Sequence, residues 1–172
     1  GNVRNFTVYY AYQGRELPYY IYGWEKDYLN SNHMGRAIHF IDKLTHRTKK
    51  SRKKLKEKYP AKIITIPFEK FVLNPEPWVQ KIADALGTNI LDSTRKVMSE
   101  QNIPRNMVAD GIDIEIYKRC GWVPTQEGTT ERDELEIRRE DVVKELNSEL
   151  ISVLDRLSSE YEQEFWNPDE HN

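Results

Sequence analysis

Apolar and polar positions follow several different rhythms along this chain. Val3, Phe6, Val8, Tyr9 and Tyr10 crowd β-branched and aromatic side chains into residues 3–10, which predicts a strand. Gly14 marks a turn, and an aromatic run follows through Tyr19, Tyr20, Tyr22 and Trp24. Over residues 34–58 the rhythm becomes helical, with Ala37, Ile38, Ile41 and Leu44 at helical spacing and Pro60 closing the element. Residues 62–66 are nearly continuous in β-branched side chains, as in a strand covered on both faces. Asn74-Pro75-Glu76 then opens a helix whose buried stripe is Trp78, Val79, Ile82 and Leu86, and Gly87 stops it. A shorter helix is expected over residues 92–101. Residues 102–130 carry Pro104, Gly111, Gly121, Pro124 and Gly128, the composition of a long irregular segment, and such segments are commonly functional. The last element reads as one helix over residues 133–165, with an apolar face of Ile137, Leu146, Leu150, Val153, Leu157, Tyr161 and Phe165.

Composition narrows the class. With 172 residues, 38% hydrophobic and 31% charged, the chain suits one globular domain or half of a larger one. No stretch approaches the roughly 20 apolar residues of a membrane-spanning helix, so no membrane partner is expected. A single cysteine, Cys120, leaves no internal disulfide and no cysteine-based metal site, and it fits a reducing cytoplasm. The four histidines share no chelating spacing: His39 and His46 lie on one helix face but seven residues apart. No metal is expected.

The net charge of −2 conceals a strong asymmetry. Nine Lys/Arg stand against one acid over residues 43–58, and fourteen acids against five Lys/Arg over residues 131–170. Solvated helix faces are the favoured reading, with a non-catalytic helical interaction module as the alternative. The run Lys49-Lys50-Ser51-Arg52-Lys53-Lys54 has no interleaved aromatics of the kind that stack on bases, so nucleic acid is not the expected partner.

Residues 63–75, Ile-Ile-Thr-Ile-Pro-Phe-Glu-Lys-Phe-Val-Leu-Asn-Pro, followed by a helix ending in Leu86-Gly87, resemble a late stretch of the PAPS-dependent sulfotransferases. There a strand runs into an aromatic-Glu motif, an x-x-Pro turn and an amphipathic helix. Val3-Arg4-Asn5 is similar to the family's hydrophobic-Arg-Asp/Asn-Pro stretch, with Phe6 where the family has Pro. Asn102-Ile103-Pro104-Arg105 and Gly111 fall where the family closes a basic loop over the nucleotide's 3′-phosphate. The resemblance implies a mixed α/β fold, mainly helical with few strands, corresponding to the C-terminal portion of a P-loop NTPase-like sulfotransferase. It implies PAPS (3′-phosphoadenosine 5′-phosphosulfate) as the co-substrate and a hydroxyl or amine as acceptor. The family's phosphosulfate-cradling loop and catalytic base belong to its N-terminal half. No G-x-x-x-x-G-K-[ST] or looser phosphate loop occurs here, so no catalytic residue is assigned and no turnover is expected of the chain alone.

The chemistry of sulfuryl transfer selects the residues to watch. The reacting oxygens must lie in line, and charge developing on the leaving phosphate must be neutralised. Arginine serves phosphate well because its planar fork gives paired, charge-assisted bonds. By the resemblance, Arg4 and Arg105 are the first candidates for the nucleotide, with Lys118 and Arg119 second. The surface left where a second half would pack implies self-association or a large apolar interface. Trp122, Tyr117 and the cluster of Tyr19, Tyr20, Tyr22 and Trp24 are candidates to line an acceptor pocket, although aromatics at this density are more often core.

Overall fold

A computed structural model describes residues 7–59, 63–111 and 128–171. Among these residues the protein is mainly helical, with one two-stranded antiparallel sheet. The chain divides into two compact units, residues 1–52 with 141–157, and residues 53–140 with 158–172.

The first unit opens with a hairpin of β1 (Tyr9–Tyr12) and β2 (Arg15–Pro18), in the register Tyr9 to Pro18 and Tyr12 to Arg15. Strand structure was expected over residues 3–10; the pairing instead begins at Tyr9, and residues 3–6 lie outside the described residues. The turn sets this register. Gln13 and Gly14 both adopt positive φ, 49° and 73°, the two-residue geometry that matches the twist of paired strands.

A short 3-10 turn (Tyr19–Ile21) and helix α1 (Glu25–Asn30) follow. Leu17, Ile21 and Trp24 are buried together, flanked by Tyr10, Tyr12, Tyr28 and Leu29. Tyr10 donates to the Glu25 carboxylate at 2.8 Å, tying the hairpin to α1. The aromatic run therefore splits. Trp24 is core, whereas Tyr19 and Tyr22 are 65% and 63% exposed.

Helix α2 (His33–Lys58) matches the expected element closely. Asn32 caps it, accepting from the Gly35 N–H at 2.8 Å. Beyond Leu44 it exposes a basic surface, with Arg47, Lys50, Lys54 and Lys58 at steps of three, four and four along one face.

The second unit contains α3 (Phe68–Leu73), α4 (Glu76–Leu86) and α5 (Asp92–Glu100). Of residues 62–66, expected as strand, Lys62 lies outside the described residues, and residues 63–66 are unpaired and half-buried. A β-branched run supplies the propensity for a strand, but a ladder needs a neighbour, and the described residues provide none here. Helix α4 ends as its sequence dictates. Gly87 takes φ 64°, its N–H reaches the Asp84 carbonyl, and Thr88 N–H reaches that of Ala83, the paired bonds of a glycine-terminated helix. Helix α5 closes in the same way with Asn102 at φ 54°: Asn102 N–H bonds Ser99 O and Ile103 N–H bonds Met98 O.

The single helix expected over residues 133–165 is two helices, α6 (Glu131–Val143) and α7 (Ser148–Glu164). The break has a local cause. Asn147 accepts the Leu150 N–H through Oδ1 at 2.9 Å, so it starts a helix rather than continuing one. Upstream, Thr130 and Asp133 form a reciprocal cap that starts α6 before the expected boundary: Thr130 N–H donates to Asp133 Oδ2 at 3.0 Å and Asp133 N–H to Thr130 Oγ1 at 3.1 Å.

Replacing Asn147 by Ala is expected to cost about 1 kcal/mol, and Gly87→Ala a similar amount, about 1 kcal/mol, from its left-handed backbone. Urea melts of the two variants check both. A null effect at Asn147 would mean that packing alone separates α6 from α7.

Candidate functional site

Of the four cationic candidates, Arg105 lies among the described residues; Arg4, Lys118 and Arg119 lie outside them, as do Tyr117 and Trp122 of the aromatic candidates. Arg105 belongs to a compact loop, residues 102–111, that leaves α5 through cis Pro104. The loop fastens itself internally. Asn102 Nδ2 donates to the Asp110 carbonyl, Met107 N–H donates to Asp110 Oδ2 at 2.8 Å, and Asp110 N–H to Met107 O at 3.0 Å. Asp110 thus serves both ends of the loop.

Two further bonds hold the loop to its surroundings within the second unit. Arg105 N–H donates to the Val72 carbonyl at 2.8 Å, and Val72 is 1% exposed, the last fully enclosed residue of α3. Val108 N–H donates to Glu131 Oε1 at 2.5 Å, and Glu131 is buried in the first turn of α6. A carboxylate at that end of a helix is favoured by the helix dipole. The segment predicted to be irregular is therefore ordered over residues 102–111 by specific bonds to two helices.

The Arg105 side chain is half-buried. Its Nη1 donates to the Val108 carbonyl at 2.9 Å, and its Cζ stands 5.5 Å from the centre of the Phe68 ring, within cation–π range. Nε is enclosed and has no acceptor. No carboxylate pairs with this guanidinium among the described residues, in contrast to Arg132, which holds Glu162 at 3.1 Å and Asp169 at 3.0 Å.

Helix α3 carries both Phe68 and Val72, so its position governs the site. Tyr161 of α7 fixes it by donating to Glu69 Oε2 at 2.6 Å while its ring lies 5.1 Å from that of Phe165. Burial, then the bond to Glu69, pushes the Tyr161 phenol above its ordinary range. The Arg132 clamp holds α6, α7 and the terminal 3-10 turn (Pro168–His171) together, and Arg132 in turn holds the Asp169 carboxyl below its usual range.

Sequence reasoning selected Arg105 and Gly111 but missed Phe68, Val108 and Glu131 as its supports. The Thr130 to Asp133 capping pattern was the available signal for Glu131, because it puts that residue at the first helical position. Nothing in the spacing announces a contact between residues 68 and 105. The described residues contain no cluster of His, Cys, Asp and Glu able to hold a metal ion. No family model, curated protein or solved structure matches the chain.

Tyr161→Phe is expected to destabilise the protein by about 1 kcal/mol through loss of its bond to Glu69. The sign with pH follows from the raised phenol. Its contribution is fully present below the ordinary tyrosine range near about pH 10 and is lost as pH rises through the raised value. Thermal melts at neutral and alkaline pH should show the variant's deficit shrinking as pH rises; an unchanged deficit would exclude the bond as its source.

Proposed function

We propose that this chain is a sulfotransferase-like polypeptide that forms the 3′-phosphate wall of a PAPS site in a P-loop NTPase-like fold. The observation that carries this reading is the Arg105 guanidinium. It is rooted on Val72, steered by Val108, and free of any carboxylate among the described residues. Adenosine 3′,5′-bisphosphate, the leaving group of sulfuryl transfer, differs from ordinary nucleotides in carrying a second phosphate. A group that recognises that phosphate both selects the co-substrate and neutralises charge on the product. Arg4, Lys118 and Arg119 are proposed to join Arg105 there, and the acceptor is a hydroxyl or amine. The phosphosulfate loop and catalytic base are expected from outside this sequence, so the reading gives the chain binding without turnover.

Exposed apolar side chains support a further packing surface. Leu86 is 73% and Leu91 61% exposed in the second unit, and Val8 71% in the first. The same exposure favours the second reading, a helical interaction module, which has no use for an unpaired Arg105. The two readings part at the nucleotide.

Ligand-observed NMR with adenosine 3′,5′-bisphosphate and adenosine 5′-monophosphate separates them. The bisphosphate is expected to bind about tenfold more tightly, a difference near 1.4 kcal/mol, and Arg105→Ala is expected to erase that preference. Equal binding of the two nucleotides by the wild-type protein would reject the sulfotransferase reading.

A further inference from the structure

Helix α2 breaks the usual rule for a surface helix. Its buried residues are Gly35 and Ile38, so the side turned to solvent should be polar. Instead Phe40, Ile41 and Leu44 are exposed, Ile41 at 47% and Leu44 at 50%. Leu44 lies three residues from Ile41 and four from Phe40, which makes them one patch rather than scattered side chains. The segment after the hairpin enlarges it. The exposed ring of Tyr20 meets Phe40 edge to face, with centres 5.3 Å apart.

Charge of one sign borders this patch. Arg47, three residues beyond Leu44, donates through Nη2 to the Tyr22 carbonyl at 3.2 Å, which fixes a guanidinium beside the apolar side chains. Lys50 follows three residues later and is exposed. Neither cation is held by a carboxylate among the described residues. Asp42, the only acid in residues 40–50, is half-buried and bonded to Arg156 at 2.6 Å, so it does not offset them. All of these residues belong to the first unit.

We infer that this face of the first unit docks on an anionic phospholipid surface, lying on the bilayer without crossing it. Charge complementarity selects an anionic partner, and the aliphatic side chains select among anionic partners. Bases stack on ring faces, which Ile41 and Leu44 do not offer. A bilayer meets both demands. The boundary between headgroups and acyl chains takes Phe40, Ile41 and Leu44, tyrosine sits well at headgroup level, and lipid phosphates meet Arg47 and Lys50. The basic run that continues along α2 to Lys58 adds attraction of the same sign. Among the described residues no helix is long and apolar enough to cross a membrane, and surface docking requires none. The inference is independent of the nucleotide reading, because it uses nothing from the Arg105 loop.

The test floats the whole chain with vesicles of phosphatidylcholine alone and with an equal mixture of phosphatidylcholine and phosphatidylserine. Binding is expected to the mixed vesicles and to weaken as salt is raised. Arg47→Gln and Lys50→Gln are each expected to lower that affinity about fivefold. Leu44→Ser is expected to lower it about tenfold and to leave the salt dependence unchanged. Equal partition onto the two vesicle types, or binding to neither, overturns the inference from the wild-type protein alone. Unaltered vesicle binding by a Leu44→Ser variant with a dispersed amide spectrum overturns the role of the patch. Two further outcomes also overturn it: tighter binding to single-stranded oligothymidylate than to the mixed vesicles, which assigns the cations to nucleic acid, and a lipid-free dimer that Leu44→Ser dissociates in sedimentation, which assigns the patch to a second copy.

Discussion

A buried carbonyl cannot be left without a donor, and the one at Val72 is answered by the backbone of Arg105. That single bond ties the irregular segment after α5 to the buried end of α3. Once Arg105 is fixed at its root, the remaining fasteners have a defined target. Asp110 gathers the loop, Val108 takes hold of Glu131, and the side chain of Arg105 is left with one direction in which to extend. Without the bond to Val72 the same residues would form a surface excursion with no preferred placement for the cation. The stability of α3 is therefore a condition for the chemistry at Arg105, and the Tyr161 to Glu69 bond, one residue from Phe68, contributes to it.

The elements legible in the sequence are those fixed by local rules. Helix α2 followed its apolar spacing, and α4 followed a proline start and a glycine stop that act within a few residues of themselves. The errors arose where the deciding partner lay elsewhere or where a cap competed with a periodic pattern. Residues 62–66 had the propensity of a strand, but among the described residues no neighbour pairs with them. The break between α6 and α7 was hidden because Leu146 and Leu150 kept helical spacing across it, while Asn147 between them supplied a cap that outweighed the pattern. The hairpin turn was marked in the sequence by Gly14 alone, because the positive φ of Gln13 is not a preference of glutamine.

The site divides along the same line. Arg105 was singled out by the family resemblance of residues 102–105 and Gly111, not by a pattern of its own. Two of its supports were invisible because they act through main-chain atoms: the Val72 and Val108 carbonyls could belong to any residue type. What the sequence does encode is room for the cation, namely a glycine at 111, where a Cβ would stand 3.3 Å from Arg105 Nη1.

The long basic helix has its own consequence. Arg47, Lys50, Lys54 and Lys58 are each three or four residues from the next, and like charges at those spacings repel, by roughly 0.2–0.5 kcal/mol per pair. Added electrolyte shortens the reach of that repulsion. The far end of α2 should therefore wind more firmly as ionic strength rises, opposite to a helix held by mixed ion pairs. Dilute buffer is the condition in which this segment frays first.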